Sequence, residues 1–229
     1  MDRDTQSAVT RPRPLLAIDS STAQAGVGLY DGDRLGEIVW AAGRTQTATL
    51  LSQVHQLLSS HGVTASALGG IAVTTGPGTF NGLRVGLAVA KGLLLGLDIP
   101  LLGVATLAAA ALPYAAMGRP VVPVVAAGRG RLVWAEYRDD RSGWSAVVPP
   151  RNGVAAELAE QIAAIPRPIV TGELTEEQEA AVAAVPGVTL VPRTLRGRRP
   201  AAVIALTWER YLAGEADDPV LLEPLYLGR

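Results

Sequence analysis

Two short stretches carry residue types that could do chemistry. Asp19-Ser20-Ser21-Thr22 sets one carboxylate beside three hydroxyls at the end of an apolar run. Such a group can hold Mg2+ and meet a phosphate; the same residues also make an ordinary Asx or Ser turn between strands. Gly76-Pro77-Gly78-Thr79-Phe80-Asn81-Gly82 is the second stretch, and a helical pattern follows it. Free backbone N–H groups and the dipole at a helix start favour anions. Asp19, Ser20, Gly76 and Gly78 are therefore the candidate nucleotide-binding residues. The spacing argues against the familiar nucleotide motifs. No Lys-Ser/Thr pair follows the last glycine, Lys91 lies too far into the helix, and the glycines do not have the G-x-G-x-x-G interval.

Other chemistries find fewer residues. His55 and His61 are six positions apart, and i, i+6 positions do not share a helix face, so no metal site is expected. There is no G-x-S-x-G elbow, and with Cys 0 there is neither a thiolate nucleophile nor a disulfide. A peptidase would lack its nucleophile. Glu173, Glu176, Glu177 and Glu179 read as a solvated helix start favoured by the dipole. Arg193, Arg196, Arg198 and Arg199 form a basic loop that could touch RNA phosphate or simply face solvent. The net charge of -1 supplies no global field to attract nucleic acid.

Elements must position these residues. Hydrophobic residues make up 48% but aromatics only 4%, so Ala, Val, Leu and Ile must build the cores. Leu15 to Asp19, Ala25 to Tyr30 and Arg34 to Ala41 read as a three-stranded meander, with Asp31-Gly32 as a hairpin turn. Leu50, Val54, Leu57 and Leu58 recur at i, i+4, i+7 and i+8, which predicts a helix over Thr47 to His61. Thr45 or Thr47 can cap it, and Gly62 sits where it ends. A strand reaching Gly76, a helix over Gly82 to Leu97, a further strand and a Thr106-capped helix over Leu107 to Met117 follow. A second meander then begins at Val121 to Ala126, Leu132 to Arg138 and Trp144 to Val148. Helices and strands alternate after it: one helix capped by Asn152, one with a capping box at Thr175 and Gln178, and one starting at Pro200.

Two copies of meander plus alternating α and β predict an α/β fold. The expected architecture is two ribonuclease-H-like (actin/ASKHA-type) domains, each a mixed sheet flanked by helices. The boundary falls near Gly118, giving a loose extension over 1–14 and domains over 15–118 and 119–229. A working ATPase of this class needs a second acidic turn. Ala126 to Arg131 contains no Asp or Glu, and only Thr171-Gly172-Glu173 offers an adenosine loop. An autonomous ATPase or small-molecule kinase using Asp19 and the Gly76–Gly82 loop is the alternative reading.

The helix over 82–97 is apolar nearly all round, which marks it as buried nearly all round. Gly82, Gly86 and Ala90 make one bare face, Val85, Val89 and Leu93 a second, and Leu83, Leu87 and Leu94 a third. Small residues at i, i+4 and i+8 let another helix approach closely. That neighbour is either the helix over 47–61 or a partner protein.

The segments LLAIDSSTAQAGVGLYDG, GPGTFNGLRVGLAVAKGL, PLLGVATLAAAA, GRLVWAEYR and EPLYLGR, in this order, resemble the TsaB (YeaZ) family. The resemblance implies a pair of actin-like domains acting as a non-catalytic scaffolding and activating subunit in tRNA threonylcarbamoyladenosine synthesis. It implies a TsaD-like transferase as heterodimer partner, a TsaE-like ATPase joining the pair, and tRNA met through the complex. ATP and Mg belong to the complex, and no cofactor or catalytic residue is assigned to this chain. A homodimer is expected when the transferase is absent, because exposed apolar faces seek cover. The family's interface helices map onto Thr47 to His61 and Gly82 to Leu97. The expected partner interface is therefore Leu50, Val54, Leu57, Gly82, Val85, Gly86, Leu87, Val89, Ala90 and Leu94. Two positions depart from the family pattern: Arg44, where many relatives have His, and Ala127-Gly128-Arg129, where many have Asp-Ala-Arg. Met1 to Pro14 has no apolar signal core, and the apolar run over 83–97 is too short to span a membrane. A cytoplasmic protein with no membrane contact is expected.

Overall fold

The computed structural model describes residues 12–43, 45–140 and 143–227. Most of the expected 1–14 extension, and Arg44, lie outside the described residues. The first sheet starts as a meander of β1 (Leu15–Asp19), β2 (Gln24–Tyr30) and β3 (Leu35–Ala41), paired antiparallel. α1 (Gln46–Ser60) crosses to β4 (Gly70–Gly76), which lies parallel to β1. α2 (Phe80–Leu94) crosses to β5 (Leu101–Ala105), parallel to β4, and the sheet order is β3-β2-β1-β4-β5. Every residue of β1 is buried, as the apolar run Leu-Leu-Ala-Ile requires of a strand covered on both faces. On one face Leu16, Ile18 and Val73 share a core with Leu50 and Val54 of α1 and Leu87 of α2.

α3 (Thr106–Ala111) starts at Thr106, with Ala105 as its N-cap, and gives way at Leu112 to a three-ten segment ending at Met117. The sequence predicted one helix to Met117. Pro113 has no N–H to give to the carbonyl four residues back, so the α ladder stops there. β6 (Val121–Gly128), β7 (Arg131–Trp134), β8 (Tyr137–Asp140), β9 (Gly143–Ala146) and β10 (Arg151–Gly153) follow. β7 and β8 replace the single strand expected over Leu132 to Arg138. Both pair with β6, and between them Glu136 O accepts from Val147 N–H at 2.8 Å.

α4 (Ala155–Ala163), β11 (Ile169–Gly172), α5 (Glu176–Ala183) and β12 (Thr189–Leu190) complete the second sheet, ordered β10-β7-β6-β11-β12. Asn152 does not cap α4. It lies in β10 and accepts from Arg131 Nε at 2.8 Å, while Glu157 accepts from Val154 N–H at 3.0 Å at the helix start. The capping box at α5 forms: Thr175 N–H donates to Gln178 Oε1 at 2.9 Å, and Gln178 N–H to Thr175 Oγ1 at 3.3 Å.

α6 (Pro200–Leu212) turns back onto the first sheet, where Ala202, Val203 and Ile204 pack with Leu15, Ala17 and Ala72. In the other direction, Leu107 and Ala111 of α3 pack with Val121, Val125 and Ile169 of the second sheet. The segments before and after residue 118 thus exchange helices. Alternating apolar residues on both faces of β1 and β6 demand a cover on each side, and the exchange supplies it.

Candidate functional site

β1 delivers Asp19 to the space between the two sheets. Its carboxylate is buried, with Ser20, Ser21 and Thr22 buried beside it. Asp19 Oδ1 accepts from Ser21 N–H at 3.0 Å, Ser21 Oγ at 2.6 Å and Thr74 Oγ1 at 3.1 Å. Asp19 Oδ2 accepts from Arg198 Nε at 2.8 Å. The same guanidinium donates to Glu173 Oε1 at 2.7 Å, Thr22 Oγ1 at 2.7 Å and Gln24 O at 3.0 Å. Thr22 Oγ1 also bonds Glu173 Oε1. One arginine, reached through the segment before α6, therefore ties the end of β1 to the end of β11.

Burial by itself would push the Asp19 carboxyl up. The Arg198 charge and the Ser21 hydrogen bonds outweigh it and hold the group below its ordinary value. For Arg198, burial acts downward, but Asp19 and Glu173 together raise it above its ordinary value. Both groups stay charged at neutral pH. A divalent cation approaching Asp19 would meet a guanidinium already in place, so this geometry opposes the Mg2+ role that the sequence offered for Asp19. Among the described residues, no group of three or more His, Asp or Glu side chains could hold a metal ion.

The glycine loop faces the same turn. Thr79 N–H donates to Ser21 O at 2.6 Å, and Thr79 Oγ1 caps α2 by accepting from Gly82 N–H at 3.3 Å. Ser20 Oγ donates to Gly82 O at 2.8 Å. A Cβ at Gly78 would collide with Ser21 O, one at Gly82 with Ser20 O, and one at Gly86 with Ser20 Oγ. The bare face of α2 is therefore filled by the β1–β2 turn of the same chain. α1, one of the expected occupants, contributes beside it: the Gln46 side chain at its start also faces Gly82, and Ala90 shares a core with Leu50 and Val54.

Most of the residues expected at the partner interface are covered within the chain. Leu50, Val54, Leu57, Gly82, Gly86, Leu87 and Ala90 are buried inside the chain. Val85, Val89 and Leu94 are only half-buried. Beside Val85 and Val89 the exposed Ala88, Gly92 and Leu95 complete a stripe along α2, with Leu95 93% exposed. On α1 the exposed apolar residue is Leu51. Sequence reasoning named Val85 and Val89 of this stripe but not Ala88, Gly92 or Leu95, because small residues such as Ala88 and Gly92 carry little hydropathy signal.

The basic loop also resolves differently from a phosphate-binding surface. Arg193 and Arg196 both reach Glu179 Oε1 at 3.0 Å, Arg198 holds Asp19 and Glu173, and Arg199 pairs with Glu37. Each charge has a carboxylate. His55 is exposed, whereas His61 is half-buried with Nδ1 3.0 Å from Leu57 O, so the two do not form a site. Beside the ion pairs lies a cavity of about 640 Å³ lined by Trp40, Leu174, Thr175, Arg196 and others of both sheets.

A family model described as TsaD: tRNA N6-adenosine threonylcarbamoyltransferase matches residues 40–182. The chain is 32% identical over 131 residues to the tRNA threonylcarbamoyladenosine biosynthesis protein TsaB of Escherichia coli (strain K12). That match covers 56% of this chain and 57% of the relative, a little over half of its length. A solved structure, an uncharacterized protein with similarity to peptidase YEAZ from Pseudomonas aeruginosa, superposes with a TM-score of 0.79 at 25% identity, over 94% of this chain and 99% of that one. A Bacteroides thetaiotaomicron protein with an actin-like ATPase fold gives a TM-score of 0.50 at 8% identity, over 86% of this chain and 96% of that one, and shares the fold alone. The fold is accordingly α/β and actin-like, with two mixed sheets flanked by helices, as the sequence predicted.

Proposed function

This chain belongs to the TsaB (YeaZ) family, and from that premise we propose that it serves tRNA threonylcarbamoyladenosine biosynthesis as a non-catalytic subunit. Its role is to dock and support a TsaD-like transferase, with a TsaE-like ATPase joining the pair and tRNA met through the complex. ATP and Mg are used by the complex. Residues 15–118 form the docking unit and 119–229 the degenerate one, and the chain works in the cytoplasm. No helix among the described residues is long and apolar enough to cross a membrane.

The observation that carries the non-catalytic reading is the Arg198 guanidinium on Asp19. The Asp19 carboxylate is already paired with Arg198, which it shares with Glu173, and the turn at 126–131 contains no Asp or Glu. The docking surface in this reading is the α2 stripe of Val85, Ala88, Val89, Gly92 and Leu95. In the absence of the transferase, a second copy of the chain covers it.

The test is co-purification from cell extract with the tagged chain. A TsaD-like protein is expected with the native chain. Ala88→Glu, on an exposed helix position, is expected to lose that partner while its unfolding free energy stays within about 0.5 kcal/mol of native. Retention of the partner by Ala88→Glu removes the α2 stripe from the interface. Calorimetric binding of ATP-Mg by the chain alone, abolished by Asp19→Ala, overturns the non-catalytic reading.

A further inference from the structure

A cleft on the other side of the glycine loop has no role in the reading above. It is a cavity of about 690 Å³ between the start of α2, the β6–β7 turn and the C-terminal tail. Phe80, the first residue of α2, and Tyr226 of the tail line it as an aromatic pair with ring centroids 5.2 Å apart. Phe80 is 53% and Tyr226 47% exposed, so each ring keeps about half its surface open. The tail is anchored on either side of Tyr226. Leu225 N–H donates to Thr75 O at 2.7 Å, and Leu227 packs against the core of the second sheet.

The charge around the rings has one sign. Arg84 lies over the Phe80 ring, 4.3 Å from its centroid. Arg129 stands exposed at the tip of the β6–β7 turn, and Arg131 lines the cavity beside it. Among the described residues, no Asp or Glu lines this cavity. Arg129 has no carboxylate partner among the described residues, unlike the four arginines of the 193–199 loop.

We propose that this cleft binds single-stranded RNA, with an unpaired base stacking on the Phe80–Tyr226 pair and Arg129 meeting an adjoining phosphate. Aromatic side chains that accept any base face, set in a positive groove, are the chemistry of single-strand recognition. A protein partner would account for the rings, but guanidinium groups without carboxylates at the same cavity favour a polyanion. The inference deepens the proposed function and rests on it for the choice of RNA over other anionic ligands with a π-face.

The experiment is fluorescence anisotropy of a labelled, unstructured ten-nucleotide RNA titrated with the full chain at several salt concentrations. Tyr226→Ala is expected to weaken binding by about five-fold to a hundred-fold, the range for one lost stacking contact. Tyr226→Phe keeps the ring and is expected to bind as the native chain does. Arg129→Ala is expected to reduce the slope of log K against log salt by about 0.7, one phosphate contact on a single strand. Native affinity and slope in both Tyr226→Ala and Arg129→Ala overturn the proposal, as does failure of the native chain to bind the RNA. A Tyr226→Ala chain that keeps its RNA affinity but loses a co-purifying protein makes the cleft a protein-docking site. If the RNA effects are absent while a TsaD-like protein still co-purifies, the cleft assignment falls and the proposed function stands. If the RNA effects appear without that partner, the reverse holds.

Discussion

Replacing Arg198 by Met tests the arrangement between the two sheets. The Arg198 side chain is 2% exposed and reaches Asp19 at 2.8 Å and Glu173 at 2.7 Å. Met keeps much of the length without the charge, so Asp19 is left buried without its counter-ion. Removing one member of a buried pair costs about 3–5 kcal/mol, a large part of a total stability of about 5–15 kcal/mol. The pH dependence supplies the signature. In the native chain Asp19 is held below its ordinary 3.8. A carboxyl lowered in the folded state adds stability above its unfolded value and loses that stability as pH falls through the folded value. Without Arg198, burial dominates and the folded value rises above the unfolded one. The charged form is then a penalty, and protonation relieves it as pH falls. The gap between native and Arg198→Met is therefore widest near neutral pH and narrows as the pH approaches about 4. Urea unfolding followed by tryptophan fluorescence measures it at both ends. The double variant Asp19→Asn, Arg198→Met removes the stranded charge and is expected to be more stable than Arg198→Met alone. A gap below about 1 kcal/mol at neutral pH, or one that does not change with pH, refutes the reasoning.

Two other substitutions follow from the packing. Gly86→Leu drives a side chain into Ser20 Oγ and is expected to destabilise by about 1–3 kcal/mol; calorimetric melting of the isolated chain reads this directly, and an unchanged midpoint would reopen the bare face of α2 as a partner groove. Thr175→Ala removes the hydroxyl that accepts from Gln178 N–H and is expected to lower stability by about 1 kcal/mol, read as a shift in the urea midpoint with an unchanged slope.

Local patterns were legible in the sequence, and pairings across the chain were not. The run Leu15-Leu16-Ala17-Ile18 announced a strand buried on both faces, and β1 is that strand. Thr175 and Gln178 announced a capping box three residues wide, and Gly62 sits just past α1 with φ +65, as a helix end requires. Arg198 and Asp19 are 179 positions apart. No spacing rule connects them, and an arginine in a basic loop looks the same whether it faces water or a buried acid. The α2 faces failed for a related reason. The helical period showed three apolar faces on α2, but only the tertiary contacts decide which of them the chain covers. The sheet and the β1–β2 turn cover the faces with Gly82, Gly86, Leu83 and Leu87, leaving the weakly hydrophobic Ala88 and Gly92 outside.

Glycine marks where backbone comes close, and it does not say what approaches. The Gly76–Gly82 loop has the look of a phosphate cradle because a Mg-nucleotide would supply oxygen acceptors to its N–H groups and a cation to the nearby carboxylate. Both partners come instead from within the chain. Ser21 O accepts from Thr79 N–H at 2.6 Å, and Arg198 occupies Asp19 at 2.8 Å. The two interactions meet in one turn, since Ser21 also donates twice to Asp19. That turn is thereby fixed against the start of α2, with Ser20 Oγ on Gly82 O at 2.8 Å as a further tie. A nucleotide could enter only by breaking a buried ion pair and a backbone hydrogen bond together, and the loss would release the start of the helix that carries the exposed stripe. The same internal partners that oppose nucleotide binding therefore hold the exposed stripe of α2 in position, as the proposed docking role requires.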